Sequence, residues 1–284
     1  MKKRVGILGY GSVGQFLVEQ IQTNATIAQQ LELAFVWNRS AARFVGSGLD
    51  EDLVFSGNLS EAWQEVQKRA IQVDLLIEVA HPIIVQQYGA ELLQSCDLLV
   101  SSVTALADAN TEESLRAAAN PHGVYIPSGA GWGLADIAKM AAMGTLRGLR
   151  IKMAFGATAL KLQEPLASSL QTYLDSKDTE PFTLYTGPVR PLAALAPNNV
   201  NTMTAVALAG ASIGLDKTEG ILVAQKNHTA HLVEIQIQGP DGFWVKTTRH
   251  NPAKKGAVTG AQTYFSFLFS LLQAGGQGAG WHFC

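Results

Sequence analysis

The sequence has little of what would hold a secreted or metal-built protein together. Cys96 and Cys284 are the only cysteines in 284 residues, too few for a disulfide framework. Neither stands in a Cys-x-x-Cys or histidine-rich setting that would ligate zinc, so no metal is expected. Charge is sparse too: 15% of residues are charged and the net charge is −2, which gives no polybasic face for a nucleic-acid backbone or an acidic membrane. No run approaches the roughly 20 apolar residues of a membrane span, and the apolar stretch behind the basic start, MKKR, is too short for a signal-peptide core. These absences predict a cytoplasmic protein in a reducing compartment, with neither nucleic acid nor membrane as partner. What the chain does have is 47% hydrophobic residues and 27 glycines. That is apolar matter enough for two domains, and it argues against extended disorder.

Up to about residue 127, short apolar runs alternate with amphipathic ones. RVGIL (4–8), LELAFVW (31–37), VDLLIEVA (73–80), DLLVSSV (97–103) and GVYIP (123–127) read as buried strands, with helices over 13–22, 60–69, 83–94 and 111–119. Near-continuous apolar strands alternating with helices make a parallel sheet covered on both faces. After about residue 130 the pattern changes. IKMAFGAT (151–158), FTLYTGPV (182–189), EGILVAQ (219–225), HLVEIQIQG (231–239) and GFWVKTTR (242–249) read as longer strands with partial alternation, beside helices near 133–143 and 201–211. The expected class is α/β: an N-terminal doubly wound parallel sheet of the Rossmann type, then a second α+β domain with a mixed or antiparallel sheet. The apolar stretch 257–276 reads as a helix returning to the first domain. The domains expected are therefore 1–128 plus 252–284, and 129–251.

Gly9, Gly11 and Gly14 give Gly-x-Gly-x-x-Gly inside VGILGYGSVGQ, residues 5–15. In a dinucleotide fold the first glycine permits the tight turn, the second lets backbone approach the pyrophosphate, and the third lets helix lie close to strand. In a glycine-rich chain the pattern alone reads more readily as a plain turn. Here it follows a strand, opens a helix and precedes a second strand at the right distance, so Gly9, Gly11, Ser12, Val13 and Gly14 are expected to cradle a dinucleotide. The second strand ends at Asn38, Arg39 and Ser40. With no acid there to hold a ribose 2′-hydroxyl, NADP is favoured and NAD stays open; Arg39 also reads as a solvated loop residue. Ala80 and His81, at the end of a parallel strand, face the cofactor crevice. His231 shares its strand face with Val233, Ile235 and Ile237, the apolar side; on its own this describes a core histidine. His228 reads as a loop residue.

The strand tip EVAHP (78–82), the turn SGAGWG (128–133), APNNVNTMTAVALAG (196–210), HLVE (231–234) and NPAKKGAVTG (251–260) together resemble the L-aspartate dehydrogenase family, most nearly its animal-type branch. The resemblance runs over nearly the whole chain. It implies a Rossmann domain completed by a C-terminal helix, a central catalytic and dimerising domain, and a homodimer. By position it places a cofactor-contacting alanine at Ala130, a nicotinamide-side asparagine at Asn201 and the catalytic histidine at His231. Each has a plainer reading: packing for Ala130, a helix N-cap for Asn201, a satisfied core residue for His231.

The activity implied is NAD(P)-dependent oxidation of L-aspartate to iminoaspartate, which hydrolyses to oxaloacetate and ammonia or feeds NAD biosynthesis, or the reverse reductive amination. One feature departs from the family. Where bacterial members carry a basic pair, this chain has FGATALKLQEP with Lys161 alone. Two alternatives follow: an oxidoreductase for another small amino or carbonyl compound, and a non-catalytic NADP-binding sensor.

Overall fold

A computed structural model describes residues 2–253, 256 and 260–284 of the chain. The first half runs β1 (Lys3–Leu8), α1 (Ser12–Thr23), α2 (Ala25–Ala28), β2 (Leu31–Asn38), β3 (Val54–Ser56), α3 (Leu59–Lys68), β4 (Leu75–Glu78), α4 (Pro82–Leu92), β5 (Asp97–Val100), α5 (Ala109–Ala118) and β6 (Gly123–Ile126). The second half runs α6 (Leu134–Ala142), β7 (Gly148–Gly156), α7 (Leu166–Asp175), β8 (Phe182–Pro188), α8 (Val189–Leu195), α9 (Asn201–Ala209), β9 (Glu219–Gln225), β10 (Ala230–Gln238), β11 (Trp244–Pro252), α10 (Ala261–Gln273) and β12 (Gly280–Phe283).

The first sheet has the order β12-β6-β5-β4-β1-β2-β3, every neighbouring pair parallel. The order reverses between β1 and β4, which opens a crevice at their C-terminal ends. The second sheet, β11-β10-β7-β9-β8, is mixed: β7 and β9 are parallel and the other pairs antiparallel. The chain thus adopts the α/β class read from its sequence, a Rossmann-like sheet with a second, mixed-sheet domain.

Successive residues of the parallel strands feed two separate apolar layers, which is why these strands read as continuous runs. Leu76, Leu98, Val100, Val124 and Ile126 enter a large core that continues into the second domain through Ile151, Phe155 and Met203. Leu75, Ile77, Leu99 and Tyr125 enter the opposite layer, with Leu17 and Ile21 of α1 and Leu268 and Leu271 of α10. Burying each such side chain is worth about 1.5–3 kcal/mol. The return of α10 is fixed at both ends. The Phe16 ring stands edge-on to Tyr264 and Phe265 at 5.5 and 5.3 Å, and Lys3 Nζ donates to the carbonyls of Leu271, Leu272 and Ala274.

Several elements differ from expectation. The strand expected over 97–103 stops at Val100, and Val103–Ala107 forms a buried 3-10 turn against α9. Helices α2, α7 and α8, and strands β3 and β12, carry no expectation from the sequence. The start of the helix expected over 257–276, and half of NPAKKGAVTG, lie outside the described residues; the described helix is Ala261–Gln273. Among the described residues, no helix is long and apolar enough to cross a membrane.

Candidate active site

The glycines at the β1–α1 turn have three different reasons to be glycine. Gly9 sits at φ +118°, and a Cβ there would come within 2.9 Å of the Ala80 backbone. A Cβ on Gly14 would stand 2.0 Å from the Gly9 carbonyl oxygen, so only glycine lets the helix lie against the turn. Gly11 alone has nothing within 4 Å of that position; the space a side chain would fill there is open. Gly11 is also the N-cap of α1 and offers no side chain to its amides, whereas Asn24, Asn58, His81 and Asp108 cap α2, α3, α4 and α5. Open space over an uncapped helix start fits a pyrophosphate. Ser12 is exposed and Val13 half-buried at the same mouth.

At the tip of β2, the Asn38 amide is used within the chain. Its Oδ1 accepts from Tyr10 N at 3.1 Å and its Nδ2 donates to Ser40 O at 3.0 Å, tying the glycine turn to the loop that follows. Arg39, Ser40 and Arg43 are exposed, and neither arginine forms an ion pair among the described residues.

Between the tips of β4 and β5 lies a carboxylate that sequence reasoning passed over. Glu78 is 1% exposed. Its Oε1 accepts from Ala80 N (2.7 Å), His81 N (2.8 Å) and Ser102 Oγ (2.9 Å), and its Oε2 from Ser102 N (3.0 Å). Burial pushes its pKa up to about 6, against the opposing pull of those donors. His81 faces away from this pocket: exposed, it accepts from Ile83 N at 3.3 Å through Nδ1 and borders a groove with Asp108 and Arg190.

The second domain meets the crevice at a cavity of about 80 Å³. His231, 5% exposed, lines it, beside Ser101, Ala130, Asn201, Asn251 and Phe155. The strand alternation holds: His231, Val233, Ile235 and Ile237 are all buried, and Leu232, Glu234 and Gln236 are not. The His231 ring lies 4.7 Å from that of Phe155, and its carbonyl accepts from Asn251 Nδ2 at 3.2 Å across the β10–β11 pair. Ala130 N donates to Thr202 Oγ1 at 3.3 Å. The turn carrying Ala130 is held from behind, since Ser266 Oγ and Arg249 Nη1 both donate to the Gly129 carbonyl, at 2.8 and 3.2 Å.

Asn201 corrects one expectation. Val200, not Asn201, occupies the cap position, and no side chain caps α9. The Asn201 Oδ1 reaches across to the first domain instead, accepting from Thr104 N at 3.0 Å and Thr104 Oγ1 at 3.2 Å. Lys161 is exposed and outside the cavity wall; its main-chain N–H donates to Asn199 Oδ1 at 2.9 Å. The described wall includes no lysine or arginine, and apart from His231 its polar side chains are amides and hydroxyls such as Asn198, Asn251, Thr202 and Thr263. His228 lies in the turn between β9 and β10, its pKa lowered by burial and then by neighbouring His250. Among the described residues, no cluster of three or more His, Cys, Asp or Glu is arranged to hold a metal ion.

Comparison with known proteins adds three kinds of likeness. Residues 136–270 match the family model described as aspartate dehydrogenase, C-terminal, and residues 9–127 match that of the homoserine dehydrogenase NAD binding domain. An aspartate dehydrogenase domain-containing protein of Danio rerio is 43% identical over 99% of this chain and 98% of its own length. An L-aspartate dehydrogenase of Methanocella arvoryzae is 26% identical over 95% and 96% of the two chains. In fold, the crystal structure of aspartate dehydrogenase from Thermotoga maritima superposes with a TM-score of 0.65 at 18% identity, covering 96% of this chain and 95% of that one.

Proposed function

Because this chain belongs to the aspartate dehydrogenase family and carries its NAD-binding domain, we propose that it oxidises L-aspartate to iminoaspartate with NAD(P), or runs the reverse reductive amination. The observation that carries this reading is the cavity in which His231, brought by the second domain, meets Ser101 at the tip of β5, Ala130 and Asn201. Gly9, Gly11, Ser12, Val13 and Gly14 would hold the pyrophosphate. Ala80 and His81 border the β4 side of the crevice, while Ala130 and Asn201 face the nicotinamide side. A bound nicotinamide would supply the acceptor for the hydride lost from the substrate's Cα.

The protein's own part is to hold the amine and move its proton. Imidazole exchanges protons near neutrality, so His231 accepts the ammonium proton, directly or through a water, and frees the nitrogen lone pair that forms the imine. Phe155 and Met153 keep that end of the cavity apolar. L-aspartate and NAD(P)⁺ then give iminoaspartate, NAD(P)H and a proton; water converts the imine to oxaloacetate and ammonia. Exposed Arg39, Ser40 and Arg43 favour NADP, whose 2′-phosphate they would pair. The chain is further proposed to act in the cytoplasm as a homodimer, and to contribute iminoaspartate to NAD biosynthesis.

The lack of lysine and arginine among the described residues of the cavity wall favours one second reading, a small amino or carbonyl substrate without two carboxylates. The deciding assay follows the absorbance of reduced nicotinamide with L-aspartate and NAD or NADP, for the wild type and His231→Ala. Turnover that falls at least 100-fold in the variant supports the proposal, general-base loss typically costing 10²–10⁴. Cofactor binding without turnover of aspartate overturns it.

A further inference from the structure

Among the described residues the proposed chemistry leaves two buried carboxylates unused, Glu78 and Asp97, and Glu78 is the one that lies where both flanks of the cofactor crevice meet. We propose that Glu78 is a positioning residue: its ionised carboxylate locks the tips of β4 and β5 together, and the cofactor binds to the locked form. The inference rests on the cofactor reading above.

One carboxylate reaches both flanks. On the β4 side it holds Ala80 N and His81 N, and Ala80 is the residue against which Gly9 closes the dinucleotide turn. On the β5 side it holds Ser102 through both N–H and hydroxyl. Ser102 leads straight into the 3-10 turn whose Thr104 meets Asn201. A shift at Glu78 is therefore felt by the cradle and by the contact between the domains at once. None of the ion pairs among the described residues includes Glu78, so its charge is balanced by main-chain and hydroxyl dipoles.

Protonation breaks this arrangement. An ionised carboxylate accepts from all four donors, whereas a protonated one carries a hydrogen where a donor already points. The Ser102 hydroxyl can turn to accept that hydrogen; the three amide N–H groups cannot. The neighbours leave few other titrations to confuse the reading. Glu78 is flanked by Leu8 on β1 and Val100 on β5, the 101–104 segment is Ser-Ser-Val-Thr, and the start of α4 adds only His81, which caps its helix. Burial that raises the Glu78 pKa to about 6 brings the switch into an accessible range.

The test is calorimetric titration with NAD, which lacks a 2′-phosphate to titrate, across a pH series spanning the Glu78 midpoint. Wild-type affinity is expected to fall about tenfold by one pH unit below that midpoint. Glu78→Gln, whose amide sets an N–H against an N–H, is expected to bind more weakly at neutral pH and to show no step. His81→Asn, which keeps a helix cap, is expected to retain it. A Gln variant that binds as the wild type does, that keeps the step, or that lowers Tm without changing affinity overturns the proposal; so does tighter wild-type binding in acid. Should Glu78→Gln not fold, Ser102→Ala decides. It removes a hydrogen bond to the charged form, so the step must move to higher pH, and an unmoved step overturns the lock. A wild type that binds neither NAD nor NADP at any pH sinks the cofactor reading as well, an outcome distinct from variants that behave alike.

Discussion

Replacing Gly11 and Gly14 by alanine, one at a time, separates a glycine kept for the fold from one kept for a ligand. A methyl on Gly14 would stand 2.0 Å from the Gly9 carbonyl oxygen, and that obstacle is backbone. Helix and strand must part, and overpacking of this kind costs about 3 kcal/mol, the upper end of its usual range. For a chain of this size that is a fall in Tm of roughly 6–12 °C. A methyl on Gly11 meets nothing within 4 Å, and the residue's φ of −81° and ψ of −166° are open to any amino acid. Gly11→Ala should therefore keep Tm within about 2 °C, a surface substitution being worth about 0.5 kcal/mol. It should nevertheless lose most cofactor affinity, because the methyl fills the open space over the uncapped end of α1. A loss of 2–3 kcal/mol there is roughly a 30- to 150-fold rise in Kd. Differential scanning fluorimetry gives the first quantity and isothermal titration with NAD and NADP the second. If Gly11→Ala binds both cofactors as tightly as the wild type, the open space is not where the pyrophosphate lies and the argument from it fails.

Three further outcomes follow from particular contacts. Arg39→Ala with Arg43→Ala should raise the Kd for NADP by tenfold or more while leaving NAD within about twofold, two exposed charge-assisted contacts being worth at least about 1.4 kcal/mol; equal losses for both cofactors would show that the arginines do not read the phosphate. Asn201→Leu leaves Thr104 N without its acceptor and should cost about 1–3 kcal/mol in urea unfolding, with Thr104→Val milder because the main-chain bond survives. Glu78 should also write its signature on stability. Its pKa is raised in the folded state from 4.5 to about 6, so the fold holds the proton more tightly than the unfolded chain does. That stabilisation is full below pH 4.5 and is lost as pH rises through about 6; a shift of that size is worth about 2 kcal/mol. The stability of wild type minus Glu78→Gln should grow by this amount on acidification, and a pH-independent difference would contradict the burial argument.

Much of the site could be read from local pattern because it is built from local pattern. The glycine turn announces itself by spacing, and the buried face of β10 follows from alternation alone, so His231 falls on the right side of its strand. Asn201 shows the limit. An asparagine before an apolar helix looks the same whether it caps that helix or bridges to Thr104, and only the approach of the 3-10 turn, nearly a hundred residues away in sequence, decides. Glu78 carried no expectation, because its importance lies in donors from two separate tips. Strand β12 was invisible because GWHF has no period of its own; it is a strand only because β6 offers an edge to it. The cavity wall lies between these cases: Lys161 is exposed and stands outside its described lining, and no spacing rule predicts that.

That last strand has a consequence for how the molecule comes to exist. Gly280–Phe283 pairs with Gly123–Ile126, and everything from α6 to β11 is synthesised between them. As the chain leaves the ribosome, β6 emerges with one edge bare and all four of its residues destined for burial. It waits in that condition until the whole second domain has followed. A bare apolar edge is a template for pairing with other chains, so a fragment ending near residue 128 should be sticky, and full-length yield should depend on chaperone capacity while synthesis is under way. The partner strand that closes this edge arrives only after the second domain and α10.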